Sequence, residues 1–161
     1  PLEGEGGALR ARRLLAESSS FCREKDYAAA LDSSRRCLGL FGGNPPLSEL
    51  LARALRAEGN ALVKDGGPED SRAAISSFER EVSVRSRLEG LESRKTLEAM
   101  FRLALAMEKV GRDKHAMALH VKVLEARRRV MGNKAPETGQ SREAVEALQN
   151  KAGAEAEEKG K

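Results

Sequence analysis

Apolar residues recur along this chain at three- and four-residue intervals, in blocks of similar layout. "LLAESSSFC", "LRAEGNALV" and "FRLALAMEKV" each place small residues beside large aliphatic ones. Each block is followed by a polar break, "EKD", "DGGPED" or "GRD", and then by a second apolar stripe. This periodicity belongs to amphipathic helices. Alternating runs of β-branched and aromatic residues, the mark of strands, are missing. The pattern predicts an all-α chain built from helix–turn–helix units.

The units align on a small residue late in each: Ala30, Ala74 and Ala116, spaced by 44 and 42 residues. Twelve residues before Ala30 and Ala116 stand Ser18 and Ala104, and fifteen before Ala74 stands Gly59. Three residues beyond these come Phe21, Leu62 and Met107, and eight beyond the anchors come Leu38, Val82 and Leu124. Small residues at matched heights let two antiparallel helices approach closely, and the large ones fill the layer between pairs. The fifteen-residue interval is expected to reflect a middle turn about three residues longer than the others. Gly43, Gly90 and Gly132 follow the second helices, where a chain leaving a helix favours glycine. Pro45 and Pro136 come soon after, where a helix cannot continue.

The expected organisation is a flexible start over 1–7 and three hairpins within 8–138, at about 8–43, 47–90 and 93–132. A capping helix over 139–153, with an apolar stripe of Ala144, Val145 and Leu148, and a flexible tail over 154–161 complete it.

"EGNALVKDG" and "LALAMEKVGRDKHAMALHVKVLEARRRVMGNKAPET" carry a small-small-large block followed by Gly-x-x-x-x-Ala. In this the chain resembles the tetratricopeptide repeat. The period near 42, and a long second helix ending in Met-Gly-Asn-x-x-Pro-x-Thr, resemble the longer repeats of kinesin light chains and their relatives. The resemblance covers about residues 8–138 and implies an α-solenoid of antiparallel hairpins in a right-handed superhelix. It also implies a concave groove, lined by first helices, that takes peptide segments.

Composition narrows the rest. Among 161 residues, 34% are charged and 3% aromatic, so thin Leu- and Ala-filled layers are expected rather than one wide core. No apolar run approaches the ~20 residues of a membrane span, and no secretory signal opens the chain. Its start on Pro1 is expected to mark a piece of a longer protein. Cys22 and Cys37 are read as reduced thiols in a cytoplasmic protein, since one possible bridge is not a disulfide framework. The net charge of +4 suits an acidic partner.

Catalytic and metal chemistry find little support, and no cofactor is expected. His115 and His120 are five residues apart and do not share a helical face, and His120 occupies the slot that Phe78 fills one unit earlier. Neither cysteine has a neighbouring His to form a thiolate, and "GGPED" lacks the Lys of a phosphate loop. Arg127, Arg128 and Arg129 close the third hairpin. Three successive residues point about 100° apart, so they read as a solvated helix end favoured by the dipole rather than a nucleic-acid patch. Stacking aromatics for single strands are absent as well.

First helices hold the candidate site. Arg12, Leu15, Ser19 and Arg23 come from the first hairpin. Arg53, Arg56, Asn60 and Lys64 share one face of the second, and Arg102 and Lys109 follow in the third with Glu98, Phe101 and Leu105. Taken singly these are ordinary solvated charges. Their one-face clustering in the second unit favours a peptide-binding role for Arg53, Arg56, Asn60, Lys64, Arg102 and Lys109, because arginine forks suit carboxylates and an amide suits peptide backbone. "RAEGN" also resembles the start of the carboxylate clamp of chaperone-binding relatives. Arg102 stands where that clamp has Asn, and the region after it offers only Arg142, so the clamp is incomplete.

The expected function is therefore a non-enzymatic protein-interaction scaffold binding an acidic or amphipathic segment. The alternatives are a regulatory or sensor arm of a larger enzyme or switch protein and, more weakly, a nucleic-acid-binding helical repeat.

Overall fold

A computed structural model describes residues 5–42 and 48–159, so Gly43 and Pro45 of the sequence reading lie outside the described residues. Among them the chain is all-α. Its helices are α1 (Glu5–Glu24), α2 (Tyr27–Gly39), α3 (Glu49–Asp65), α4 (Pro68–Glu89), α5 (Arg94–Lys109), α6 (Asp113–Met131) and α7 (Pro136–Lys159). Each helix packs on the next in chain order, and α1 also meets α3. No described helix is long and apolar enough to cross a membrane.

Local chemistry fixes the starts. Asp26, Ser48 and Ser93 accept hydrogen bonds from the backbone N–H groups of Ala29, Leu51 and Thr96 at 3.0, 3.1 and 3.1 Å. These satisfy donors that the first helical turn leaves free. The extra three residues of the middle unit do not lengthen its turn, contrary to expectation. Only Gly66 and Gly67 separate α3 from α4, and residues 68–70 form the first turn of α4 instead. A proline at the first helical position needs no N–H partner, and Asp70 accepts from the Gly67 N–H at 3.3 Å, so this stretch is a good helix start.

The small anchors do bring helices together. Ser18 donates to the Ala30 carbonyl at 2.9 Å. A Cβ added to Gly59 would stand 2.6 Å from the Phe78 ring, so that helix crossing requires glycine. Ala74, Ala104 and Ala116 are fully buried. Leu14, Leu15, Phe41, Leu51 and Leu55 form the core of the early helices. Leu62, Ile75, Phe78, Leu103 and Ala106 join α3, α4 and α5. Leu97 and Met100 meet Val123 and Ala126 of α6.

The 42-residue register also repeats in the backbone. Gly90 and Gly132 have φ of 89° and 82°, a region that residues with a Cβ rarely enter. Their N–H groups close α4 and α6 by donating to the carbonyls of Ser86 and Arg128 at 3.0 and 3.1 Å. Six residues later, Thr96 and Thr138 each donate a hydroxyl hydrogen bond back to the carbonyl of that glycine at 2.9 Å. The same Gly-x5-Thr connector thus launches α5 and α7. On α7, Thr138, Ser141, Val145 and Leu148 are buried, and residues 149–158 are exposed, although the helix continues past 153 to Lys159.

Candidate interaction groove

α3 carries Arg53, Arg56 and Asn60 along one face toward α1 and α5. Together with Arg102 of α5 and Leu15, Ser18, Ser19, Cys22 and Ala57, they line a cleft of about 330 Å³. No carboxylate lines it. Neither Arg53 nor Arg56 has a carboxylate within ion-pair distance among the described residues. Burial lowers the pKa of the Arg56 guanidinium, and the charge of Arg102 lowers it further. Burial strips the cation of water and Arg102 repels it, while the charge of Glu81 pulls the other way.

Asn60 and Arg102 also border a second recess of about 360 Å³, completed by Val63, Phe78, Leu105, Ala106, Glu108 and Lys109. Leu105 is 41% exposed there, although most of its apolar neighbours are buried. A cationic cleft and an apolar recess thus adjoin across the Asn60–Arg102 boundary. Lys109 belongs to the recess, where it donates to the Val63 carbonyl at 3.2 Å. Lys64 lines neither and lies 5.9 Å from the centre of the Tyr27 ring. Four of the six candidate residues therefore share one cleft, a fifth borders the next recess, and Lys64 stands apart. Of the first-hairpin positions, Leu15 and Ser19 reach the cleft, whereas Arg12 and Arg23 do not line it.

Arg102 differs from its neighbours. Its guanidinium donates to Glu98 at 3.0 Å and to Glu81 at 3.1 Å. It is one rung of a charged ladder that crosses the helices, a feature missed by the sequence reading. Arg85 donates to Glu81 at 2.7 Å and to Glu49 at 3.2 Å. Arg127 donates to Glu98 at 2.7 Å, to the Ser141 hydroxyl at 2.8 Å and to the Glu137 carbonyl at 2.7 Å. Arg94 pairs with the Glu137 carboxylate. The ladder runs from α3 through α4, α5 and α6 to α7, and its arginines border a third cleft of about 360 Å³ with Arg56 and Lys95.

Arg127 overturns part of the solvated-helix-end reading. It is 1% exposed, and its guanidinium lies 4.7 Å from the centre of the Phe101 ring. Only Arg128 and Arg129 are exposed, and Arg129 pairs with Glu92. Arg85 occupies the same place 42 residues earlier and is equally buried.

His120 is fully buried, as its Phe78-like slot suggests. Its Nε2 lies 2.6 Å from Glu108 and its ring meets Phe101 edge-on at 5.1 Å. Both cysteines are unpaired. Burial pushes the Cys37 thiol up to about 11, against a smaller opposing pull from Arg53.

Compared with known proteins, the chain matches no family model and no curated protein.

Proposed function

We propose that this chain is a non-enzymatic protein-interaction module. In this reading its helices form a tetratricopeptide-like α-solenoid, and the groove along α1, α3 and α5 binds an acidic or amphipathic segment of a partner. The observation that carries the reading is the cleft around Arg53 and Arg56, with two arginines lacking carboxylate partners among the described residues and no acid in its lining. Such a surface attracts carboxylates, and arginine can meet them with two parallel hydrogen bonds. The apolar recess beyond Asn60 and Arg102 gives an amphipathic segment a place for a large side chain. Arg102 takes a supporting part, because Glu81 and Glu98 already engage its donors.

Partner capture from lysate, compared between wild type and a variant with Arg53 and Arg56 both changed to Glu, tests the proposal. The variant should lose acidic partners that the wild type retains. Identical partner sets would refute it.

A second reading, packing against another domain of a larger protein, draws on the exposed apolar side chains Leu88, Leu91 and Val130, which are 41%, 60% and 48% exposed. Partner retention that depends on these residues and ignores the arginines would favour it.

A further inference from the structure

The charge balance of the groove points to a ligand more specific than an acidic side chain. The lining of the 330 Å³ cleft holds three arginines and no carboxylate. Arg102 is neutralised from behind by Glu81 and Glu98, at 3.1 and 3.0 Å. That leaves the charges of Arg53 and Arg56 without a carboxylate partner among the described residues. They occupy successive turns of the same face of α3, with the Asn60 amide one turn further on.

The two hydroxyls of the lining are already committed to backbone. Ser18 donates to Ala30 and Ser19 to Leu15, each at 2.9 Å. Guanidinium and amide donors are therefore what the cleft offers an incoming group. One carboxylate would match one of the two uncompensated charges. A phosphomonoester carries about −1.5 to −2 near neutral pH and three acceptor oxygens, which match both. Two arginine forks and an amide are a donor set suited to such a group.

We infer that this cleft receives the phosphorylated serine or threonine side chain of a partner segment, held between Arg53 and Arg56 with Asn60 beside them. The inference rests on the groove reading and names its preferred ligand. Phosphorylation of the partner would then act as the switch for docking. The third cleft, lined by Arg85, Arg94, Lys95, Arg102 and Arg127, is a weaker candidate, because Glu49, Glu98 and Glu137 line it too and pair with these cations.

The test titrates N-acetyl-O-phosphoserine amide, N-acetyl-glutamate amide and inorganic phosphate into the purified chain at fixed ionic strength, by calorimetry and by amide chemical shifts. The phosphoserine probe should bind at least tenfold more tightly than the glutamate probe and perturb residues of α1 and α3. Its affinity should fall as pH drops through about 6, where the phosphate loses its second charge. Arg56→Gln and Arg53→Gln should each weaken it about tenfold, and Arg128→Gln should leave it unchanged. Neither groove arginine has an ion pair to a described residue, so both variants should fold, and melting curves verify this. Equal, Arg56-dependent affinity for the phosphoserine and glutamate probes would overturn the phosphate inference and leave the acidic-groove reading standing. Inorganic phosphate binding as tightly as the phosphoserine probe would overturn the choice of a side chain. Binding of all probes that ignores both arginines would overturn the inference and the groove reading together.

Discussion

α5 and α7 begin alike and end differently. Both follow a Gly-x5-Thr connector, and their residues correspond at an interval of 42. Leu103 and Ala106 of α5 pack with residues of α3 and α4, Ala99 lies on the same helical face, and at the same places α7 has Ser141, Val145 and Leu148. All six are buried. The forward sides diverge. α5 carries Leu97 and Met100, which pack with Val123 and Ala126 of α6, and further along Ala104 and Met107. α7 has Gly139, Arg142, Glu146 and Gln149 in those places, none of them buried. A helix with two apolar stripes must be packed from both sides, whereas one with a single stripe can face water. α7 thus starts as α5 does but carries a single buried stripe, and its other side faces water.

Arg85 and Arg127 sharpen the comparison between the inner units and the end. They occupy equivalent positions, but Arg85 holds Glu81, which is 0% exposed, while the side chain of Glu98 beside Arg127 is 42% exposed. Removing one member of a buried pair leaves its partner desolvated and charged. Arg85→Ala leaves the buried Glu81 with Arg102 as its remaining cationic partner and should cost about 3–4 kcal/mol, the lower part of the range for a broken buried pair, in denaturant unfolding. Arg127→Ala leaves a carboxylate that water can reach, along with unpaired polar groups on α7, and should cost about 1–3 kcal/mol. Equal costs would show that partner burial does not set the difference.

A hydrophobic pair makes the same contrast with smaller effects. Leu103→Ala opens a gap among Phe78, Ile75 and Leu62 and should cost about 2–5 kcal/mol. Val145→Ala removes two methyl groups from a contact closed on one side only and should cost about 1–2 kcal/mol. Thermal melts of both variants compare the two helices directly, and a larger loss at Val145 would contradict the one-sided packing of α7.

The charged ladder shows where sequence reading stops. The small anchors were legible because residue size at a fixed interval is a property of the chain itself, and Ser18 does reach Ala30. The single stripe on α7 was legible for the same reason. The burial of Arg85 and Arg127 was not, since arginines are mostly exposed and a buried one is defined by partners on other helices. The position of Lys64 was lost for a related reason. A shared helical face says which residues point the same way, but not how far along the groove the neighbouring helices extend. The longer middle interval does not distinguish a longer turn from a longer helix, because an extra helical turn and a longer loop lengthen it equally.

A third pair of variants tests the connector. Thr96→Val and Thr138→Val each remove a hydroxyl that bonds a glycine carbonyl, and each should cost about 0.5–1.5 kcal/mol. Similar losses in the two would support equivalent launches for α5 and α7. Hydrogen exchange should localise the Thr138 effect to α7 and spread the Thr96 effect into α4, α5 and α6.

The central claim is that binding lies in the α1–α3–α5 groove and not at the arginine-rich end of α6. A segment selected by peptide display against the purified chain provides the probe, and its affinity is measured for wild type, Arg56→Glu and Arg128→Glu. Both variants should melt within about 0.5 kcal/mol of wild type, as exposed or half-buried surface changes usually do. The account predicts at least tenfold weaker binding for Arg56→Glu and unchanged binding for Arg128→Glu. Loss of binding in Arg128→Glu with Arg56→Glu unaffected would contradict it and move the site to the end of α6.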